Sequence, residues 1–380
     1  MVTTRTGGIE VLVVGTGFGR GFLAPYLSHP LVSAVGLCDI STAQLRAVAA
    51  EHGIEATYST LDDALASGRW DAVHIATPVH LHVPQTLAVL ASGRACASAV
   101  PMATSLDDID RVIDAVGDRT YMMMETALYG REYLHAIALR DSGELGPIGY
   151  LSGAHMQDLD GFAPYWMGYA PMQYATHIVA PLLGLAGARA QSVTCLGSGM
   201  LRDSHRGDGT NPFPVESALF QLATPSPLAA QVTMSFFENA RGYTEGFSVY
   251  ADRIALEWPS IEGDPSVVHR APVSDGVHRG RPIVRSLELS LDRADLLPAS
   301  LRAFTRPSIW DPGPGLPSIE VDASHGGSHP HLAHEFVSAV ALGRRSPIDH
   351  VTAATITAPG IVAHQSALQG GRMLEIPEYS

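Results

Sequence analysis

Short continuous apolar runs alternate with amphipathic stretches through roughly the first third of the chain. "IEVLVVG" (9–15) and "LVSAVGLCD" (31–39) have almost no polar face, as strands covered on both sides require. A glycine turn and a helix near residues 19–28 follow the first run, and the helical stretch "TAQLRAVAAEHG" follows the second. "WDAVHIATP" and "RACASAV" predict further strands around the helix "PQTLAVLASG". "LDDIDRVIDAVG" then reads as helix and "TYMMME" as strand. Apolar strands alternating with amphipathic helices predict an α/β domain with a doubly wound parallel sheet over residues 1–127.

The period changes near residue 147. "PIGYLSGAHM", "AQSVTCLGSG", "VESALFQLA", "AAQVTMSFF", "EGFSVYADR" and "IALEWP" predict consecutive strands, with one helix, "MQYATHIVAPLLGL", among them. Residues 128–380 are therefore expected to form an α+β domain on a large, mostly antiparallel open sheet. Residues 259–328, rich in Pro, Gly, Arg and Asp, are assigned mainly to loops, and helices near 331–342 and 351–369 close the chain.

At 380 residues, two domains are the default. A net charge of −14 argues against nucleic acid or an anionic membrane surface as partner. The longest apolar stretch, "HIVAPLLGLAGA", is too short for a membrane span, and "MVTTRTGGIE" lacks the apolar core of a signal peptide. Three widely spaced cysteines suit neither a disulfide framework nor a Cys-type metal site, so the reducing cytoplasm is the expected compartment. All 24 basic residues are arginine. No ε-amine is available for a Schiff base, a general acid or a P-loop.

"VLVVGTGFGRG" places Gly15, Gly17, Phe18, Gly19 and Arg20 directly after the first strand, where a glycine turn lets the backbone approach a pyrophosphate. A strict G-x-G-x-x-G would need glycine at Arg20. Asp39 ends the second strand, placed to accept the ribose hydroxyls of NAD and to repel the 2′-phosphate of NADP. NAD is the expected cofactor of a Rossmann domain, with Arg20 the one residue that speaks for NADP.

With "HIATPVHLH", "SGELGPIG" and the closing two-helix stretch, these motifs resemble the Gfo/Idh/MocA oxidoreductases over nearly the whole chain. That resemblance implies hydride transfer between a nicotinamide and a sugar or cyclitol carbon. It adds Thr77, Pro78, His82 and Pro101 to the cofactor-binding set and implies a homodimer or homotetramer built through the C-terminal sheet. Typical members carry E-K-P where this chain has Ala99, Val100 and Pro101, and Asp-x-x-x-His where it has Gln173 and His177. The sequence is also similar to the NAD-dependent α-N-acetylgalactosaminidase branch, in Val100-Pro101, in "YMMMETALY" with Glu125 and Tyr129, and in "YATH" with Tyr174 and His177.

His177, Tyr174 and Glu125 are the candidate catalytic residues, because removing a hydroxyl proton as hydride departs needs a base near neutral pH. Tyr174 and His177 share a face if one helix carries both. His155, Asp158, Trp166, Tyr129 and Gln173 are the candidate substrate contacts: aromatic faces suit sugar C–H faces, and polar groups suit hydroxyls. The cluster His325, His329, His331 and His334 admits three readings, namely a metal, substrate or domain contacts, or a solvated helix start. No metal is expected. The function expected is NAD-dependent oxidation of a sugar, amino sugar or cyclitol without the usual lysine. The alternatives are a redox-assisted glycoside hydrolase, lyase or epimerase that recycles bound NAD, and a non-catalytic NAD-binding protein.

Overall fold

The computed structural model describes residues 7–207, 211–261, 263–272, 283–288 and 290–380. Residues 1–6 of the N-terminal stretch "MVTTRTGGIE", and residues 262, 273–282 and 289 of the expected loop region, lie outside them. The described residues form two compact units, one running to Gly130 and including Asp292–Ala354, the other comprising Arg131–Leu291 and Thr355–Ser380.

In the first unit the apolar runs become strands β1 (Ile9–Val14), β2 (Val32–Cys38), β3 (Thr57–Tyr58), β4 (Ala72–Ile75), β5 (Ala95–Ser98) and β6 (Tyr121–Met123). They form one parallel sheet in the order β3-β2-β1-β4-β5-β6, that of a Rossmann domain. The connecting helices are α1 (Leu23–Leu27), α2 (Thr42–His52), α3 (Leu61–Ala66), α4 (His82–Ala91) and α5 (Leu106–Val116). Ser41 starts α2 by accepting the Gln44 N–H, and left-handed Gly53 ends it. Because every strand runs the same way, Gly15, Asp39, Thr77, Ala99 and Glu125 all fall just beyond the carboxyl ends of strands.

The second unit begins with α6 (Arg131–Asp141) and β7 (Ile148–Met156), followed by α7 (Thr176–Ala186). Strands β8 (Ala190–Ser198), β9 (Val215–Leu222), β10 (Leu228–Ser235), β11 (Thr244–Ala251), β12 (Ile254–Glu257), β13 (Ser266–Arg270) and β14 (Val284–Glu288) come next. A nine-stranded sheet results, in the order β14-β13-β12-β11-β7-β10-β9-β8-β17, with β17 at Leu374–Glu375. Only β7 and β10 pair in parallel; the other neighbours are antiparallel.

Three expectations change. Residues 259–328 are loop-rich but not loop throughout: β13 and β14 extend the large sheet, and β15 (Ser308–Trp310) pairs with β16 (Ile319–Val321). The helix expected over 172–185 is broken, with a 3-10 turn at Pro171–Tyr174 ahead of α7. At that turn the Met172 N–H donates to the buried Glu216 carboxylate (2.8 Å). Finally, residues 292–354, expected in the second domain, pack with the first unit. Leu297, Leu301 and Phe304 bury against Ala24, with Trp310 and Val321 around them. The short kinked turn α8 (Ser324–Gly327) and α9 (His329–Leu342) follow, and the division between units falls inside α10 (His350–Leu368).

Candidate functional site

Gly15 sits at φ +90°, and a Cβ there would come within 2.5 Å of the Ala76 carbonyl, so β1 can turn this close to β4 only with glycine. Gly17 is exposed, Gly19 is buried against Val13, and Phe18 is partly exposed. The Asp39 carboxylate is half-buried: Oδ2 accepts the Thr16 N–H and hydroxyl, both at 2.7 Å, and Oδ1 accepts the Ser41 N–H at 2.8 Å. Two ionised oxygens offer about four lone-pair sites, so the locked carboxylate keeps acceptor capacity for a ribose hydroxyl. Arg20, the residue that could favour a 2′-phosphate, donates to Glu51 on α2 at 2.6 Å. An open glycine cradle beside this acidic acceptor fits NAD.

The next carboxyl-end loops are braced by His82. Its Nδ1 lies 2.9 Å from the Pro101 carbonyl and its Nε2 2.8 Å from the Thr77 carbonyl. Burial lowers its basicity, and the two carbonyl contacts oppose that shift. His82 therefore ties two loops together, one holding Thr77 and Pro78 and the other the buried Ala99–Val100–Pro101 wall with its cis Val100–Pro101 bond. Thr77 donates to Gln85 at 2.6 Å. Glu125 is fully buried after β6 and accepts the Ala127 N–H at 3.0 Å. Tyr129 stacks on His331, their ring centres 6.0 Å apart.

The histidine cluster belongs to the packing of this unit. His329 stacks on Phe22 at 4.2 Å, and His325 and His329 both meet the Phe18 ring edge-on. His334 pairs with His29 at 3.0 Å, and His331 Nε2 lies 2.9 Å from the Asp292 carbonyl. Because His329 and His331 are buried, the solvated-helix reading fails for these two. Among the described residues, no group of three or more His, Cys, Asp or Glu side chains could hold a metal ion.

In the second unit, α7 carries His177 and presses onto β7. A Cβ on Gly153 would meet Ile178 at 2.4 Å, so glycine at that point lets the helix seat beside His155. The broken helix keeps Tyr174 and His177 together, with edge-on rings 5.2 Å apart. His155 is buried 6.0 Å from His177 and 6.2 Å from Tyr174. Trp166 meets Tyr174 edge-on at 5.3 Å, and Phe236 backs both Tyr174 and His155. Burial raises the Tyr169 hydroxyl well above its ordinary pKa. Asp158 is exposed on the preceding loop, and half-buried Gln173 lies in the 3-10 turn. The structure thus brings His155, Trp166, Tyr174 and His177 together.

Two carboxylates on this unit escaped the sequence reading. Glu245 of β11 stands opposite His155 in the sheet, and its Oε1 lies 3.8 Å from His177 Nδ1. Glu216 of β9 accepts from Met172 and lies 2.7 Å from His364 Nδ1. A signal was present. Glu216 alternates with Ala218, Phe220 and Leu222, and Glu245 with Phe247 and Val249, so each puts an acid on an apolar face.

Residues 9–126 match a family model described as an oxidoreductase family with an NAD-binding Rossmann fold. Over those residues the chain is similar to the Rossmann domain of the Gfo/Idh/MocA oxidoreductases. NAD, expected from Asp39, is the cofactor of that family fold. A "Glycosyl hydrolase family 109 protein" of Streptomyces niveus is 23% identical over 99% of this chain and 78% of its own length. A "dTDP-3,4-didehydro-2,6-dideoxy-alpha-D-glucose 3-reductase" of Streptomyces violaceoruber is 27% identical over 50% of this chain and 60% of that relative. Among solved structures, levoglucosan dehydrogenase in complex with NADH and levoglucosan has a TM-score of 0.76 at 18% identity, covering 98% of this chain and 100% of that one. Myo-inositol 2-dehydrogenase from Lactobacillus plantarum gives 0.71 at 15%, covering 97% and 100%. These likenesses bear on the fold of this chain. No helix among its described residues is long and apolar enough to cross a membrane.

Proposed function

We propose that this chain oxidises a secondary hydroxyl of a sugar, amino sugar or cyclitol, with His177 as the base. The observation that carries this reading is the buried His177 beside Tyr174, His155 and a carboxylate, in a chain without lysine. When bound, NAD supplies the two-electron acceptor, so that loss of the carbinol C–H pair and the O–H proton leaves a carbonyl. His177 takes the hydroxyl proton, the role that a positioned imidazole fills near neutral pH. Gly15, Gly17, Phe18, Gly19, Asp39, Thr77, Pro78 and Pro101 would hold the cofactor, with Arg20 held away by Glu51 and His82 bracing the loops. Trp166, Tyr174 and His155 would bind the substrate, while Glu125 orders the turn leading to Tyr129.

A second reading, transient oxidation coupled to cleavage of a glycosidic bond, draws on the relative named for glycosyl hydrolase family 109 and on the Val100–Pro101 and Tyr174–His177 motifs. One assay separates the two. Purified protein is mixed with NAD and a panel of sugars, cyclitols and glycosides, and NADH and products are followed together. Stoichiometric NADH supports net oxidation, and product without net NADH supports the second reading. Silence in both channels with NAD bound would leave only an NAD-binding protein. Self-association through the large sheet is supported by exposed Leu196, Leu219 and Tyr250 on its strands, and sedimentation would measure it.

A further inference from the structure

The positions where the resemblance places charged partners carry none here: Gln173 is neutral, and Ala99, Val100 and Pro101 are apolar. Within its own unit His177 instead meets a carboxylate from a distant strand. Oε1 of Glu245 lies 3.8 Å from Nδ1 of His177, and both side chains are largely withdrawn from solvent. The Tyr243 hydroxyl donates to the other oxygen, Oε2, which turns Oε1 toward the imidazole. Register fixes the approach, since Glu245 pairs with His155 on β7, and β7 is the strand on which α7 rests.

We propose that Glu245 is the positioning residue for His177, holding a proton on Nδ1 so that Nε2 is the nitrogen presented to the substrate hydroxyl. This rests on the reading of His177 as the base. When Nε2 accepts the hydroxyl proton the ring becomes an imidazolium, and the Glu245 carboxylate balances the new charge without itself taking a proton. A carboxylate fixing the tautomer of a catalytic imidazole is a recurring arrangement, because the two ring nitrogens then have fixed, different jobs. The titratable groups facing His177 within the unit include Tyr174 from the preceding turn, His155 from β7, and Glu245, with Tyr243 bonded behind it on β11. Glu245 is the carboxylate of this group, so removing its charge withdraws the negative field that it sets at the ring.

Glu245→Gln is nearly isosteric and tests the idea. Losing an opposite charge at this distance weakens imidazolium formation, so the acidic limb of the kcat/KM profile should move down by about one pH unit. Plateau kcat should fall about tenfold, with the melting temperature and NAD affinity close to wild type. Glu245→Asp keeps the charge and should return the limb to its wild-type position while recovering only part of kcat. A second readout needs neither substrate nor cofactor: the ¹⁵N spectrum of the His177 imidazole. Wild type should carry its neutral-state proton on Nδ1, and Glu245→Gln should mix the tautomers and lower the titration midpoint. An unchanged limb and an unchanged imidazole titration in Glu245→Gln would overturn the proposal. Were wild type to turn over no substrate, that would count against His177 as a base, while the imidazole spectrum would still decide the role of Glu245.

Discussion

Two groups of buried histidines keep opposite electrostatic company. Beneath the glycine loop of the first unit, His74 touches Phe22 and Tyr26, His329 stacks on Phe22, and His29 bonds His334. Among the described residues no carboxylate acts on His29, His74 or His329, and burial drives His74 and His329 down to about 3 and His29 to about 4. In the second unit, His177 lies beside Glu245, His364 beside Glu216, and His205 within 3.6 Å of both Asp160 and Glu238. Residue type is the same in both sets, and the neighbours decide the use. An imidazole that cannot hold a proton serves as a flat apolar wedge, whereas one beside a carboxylate can pick a proton up and set it down.

Breaking the buried Glu216–His364 pair should have the largest effect on stability. Glu216→Ala strands His364 and the Met172 N–H, and should lower the free energy of urea unfolding by about 3–5 kcal/mol. Glu216→Gln, whose amide oxygen can accept the Met172 N–H while its NH2 meets His364 Nδ1 in the acceptor tautomer, should cost less. Equal losses in the two variants would mean that this carboxylate matters only by filling space.

Acid should next separate the two sets. His29, His74 and His329 have folded-state pKa values depressed below 6.5, so the unfolded chain binds protons that the folded unit refuses. Their stabilisation is complete above pH 6.5 and is lost as the pH falls toward 4, each steepening the loss by up to about 1.4 kcal/mol per pH unit. Melting temperatures measured from pH 7.5 to 4 should show this slope, and His329→Gln should remove about one proton from it. A slope untouched by that substitution would place the acid lability elsewhere.

Smaller effects are expected at the nucleotide loop. Asp39→Asn should weaken NAD binding by about tenfold, since a neutral amide accepts less strongly and gives up one acceptor oxygen. Glu51→Ala frees Arg20 from a surface pair worth under about 1 kcal/mol, and should improve NADP relative to NAD only slightly. A large gain in NADP affinity would show that Glu51, as much as Asp39, sets the cofactor preference.

The Rossmann strands were legible because strands buried on both faces must be continuously apolar, and the cradle was legible because its glycines follow the first strand. β13 and β14 were not: "SVVHR" and "VRSLE" are short and mixed, and β14 lies largely exposed at the sheet edge. Nor could local pattern assign residues 292–354 to the first unit, since Leu301 and Phe304 find Ala24 only through tertiary packing. At the site, His177, Tyr174, His155 and Trp166 were readable from one neighbourhood of sequence. Glu245 was not, because its partnership depends on strand register about seventy residues downstream of His177.

The most direct measurement compares His177→Asn with His329→Asn in turnover and in NAD affinity at one pH. His177→Asn should lose turnover by about 10²–10⁴-fold while binding NAD within a few-fold of wild type. His329→Asn should melt earlier yet retain kcat in its folded fraction. Wild-type turnover in His177→Asn, or a comparable loss of kcat in folded His329→Asn, would contradict the division of labour between the two sets of histidines.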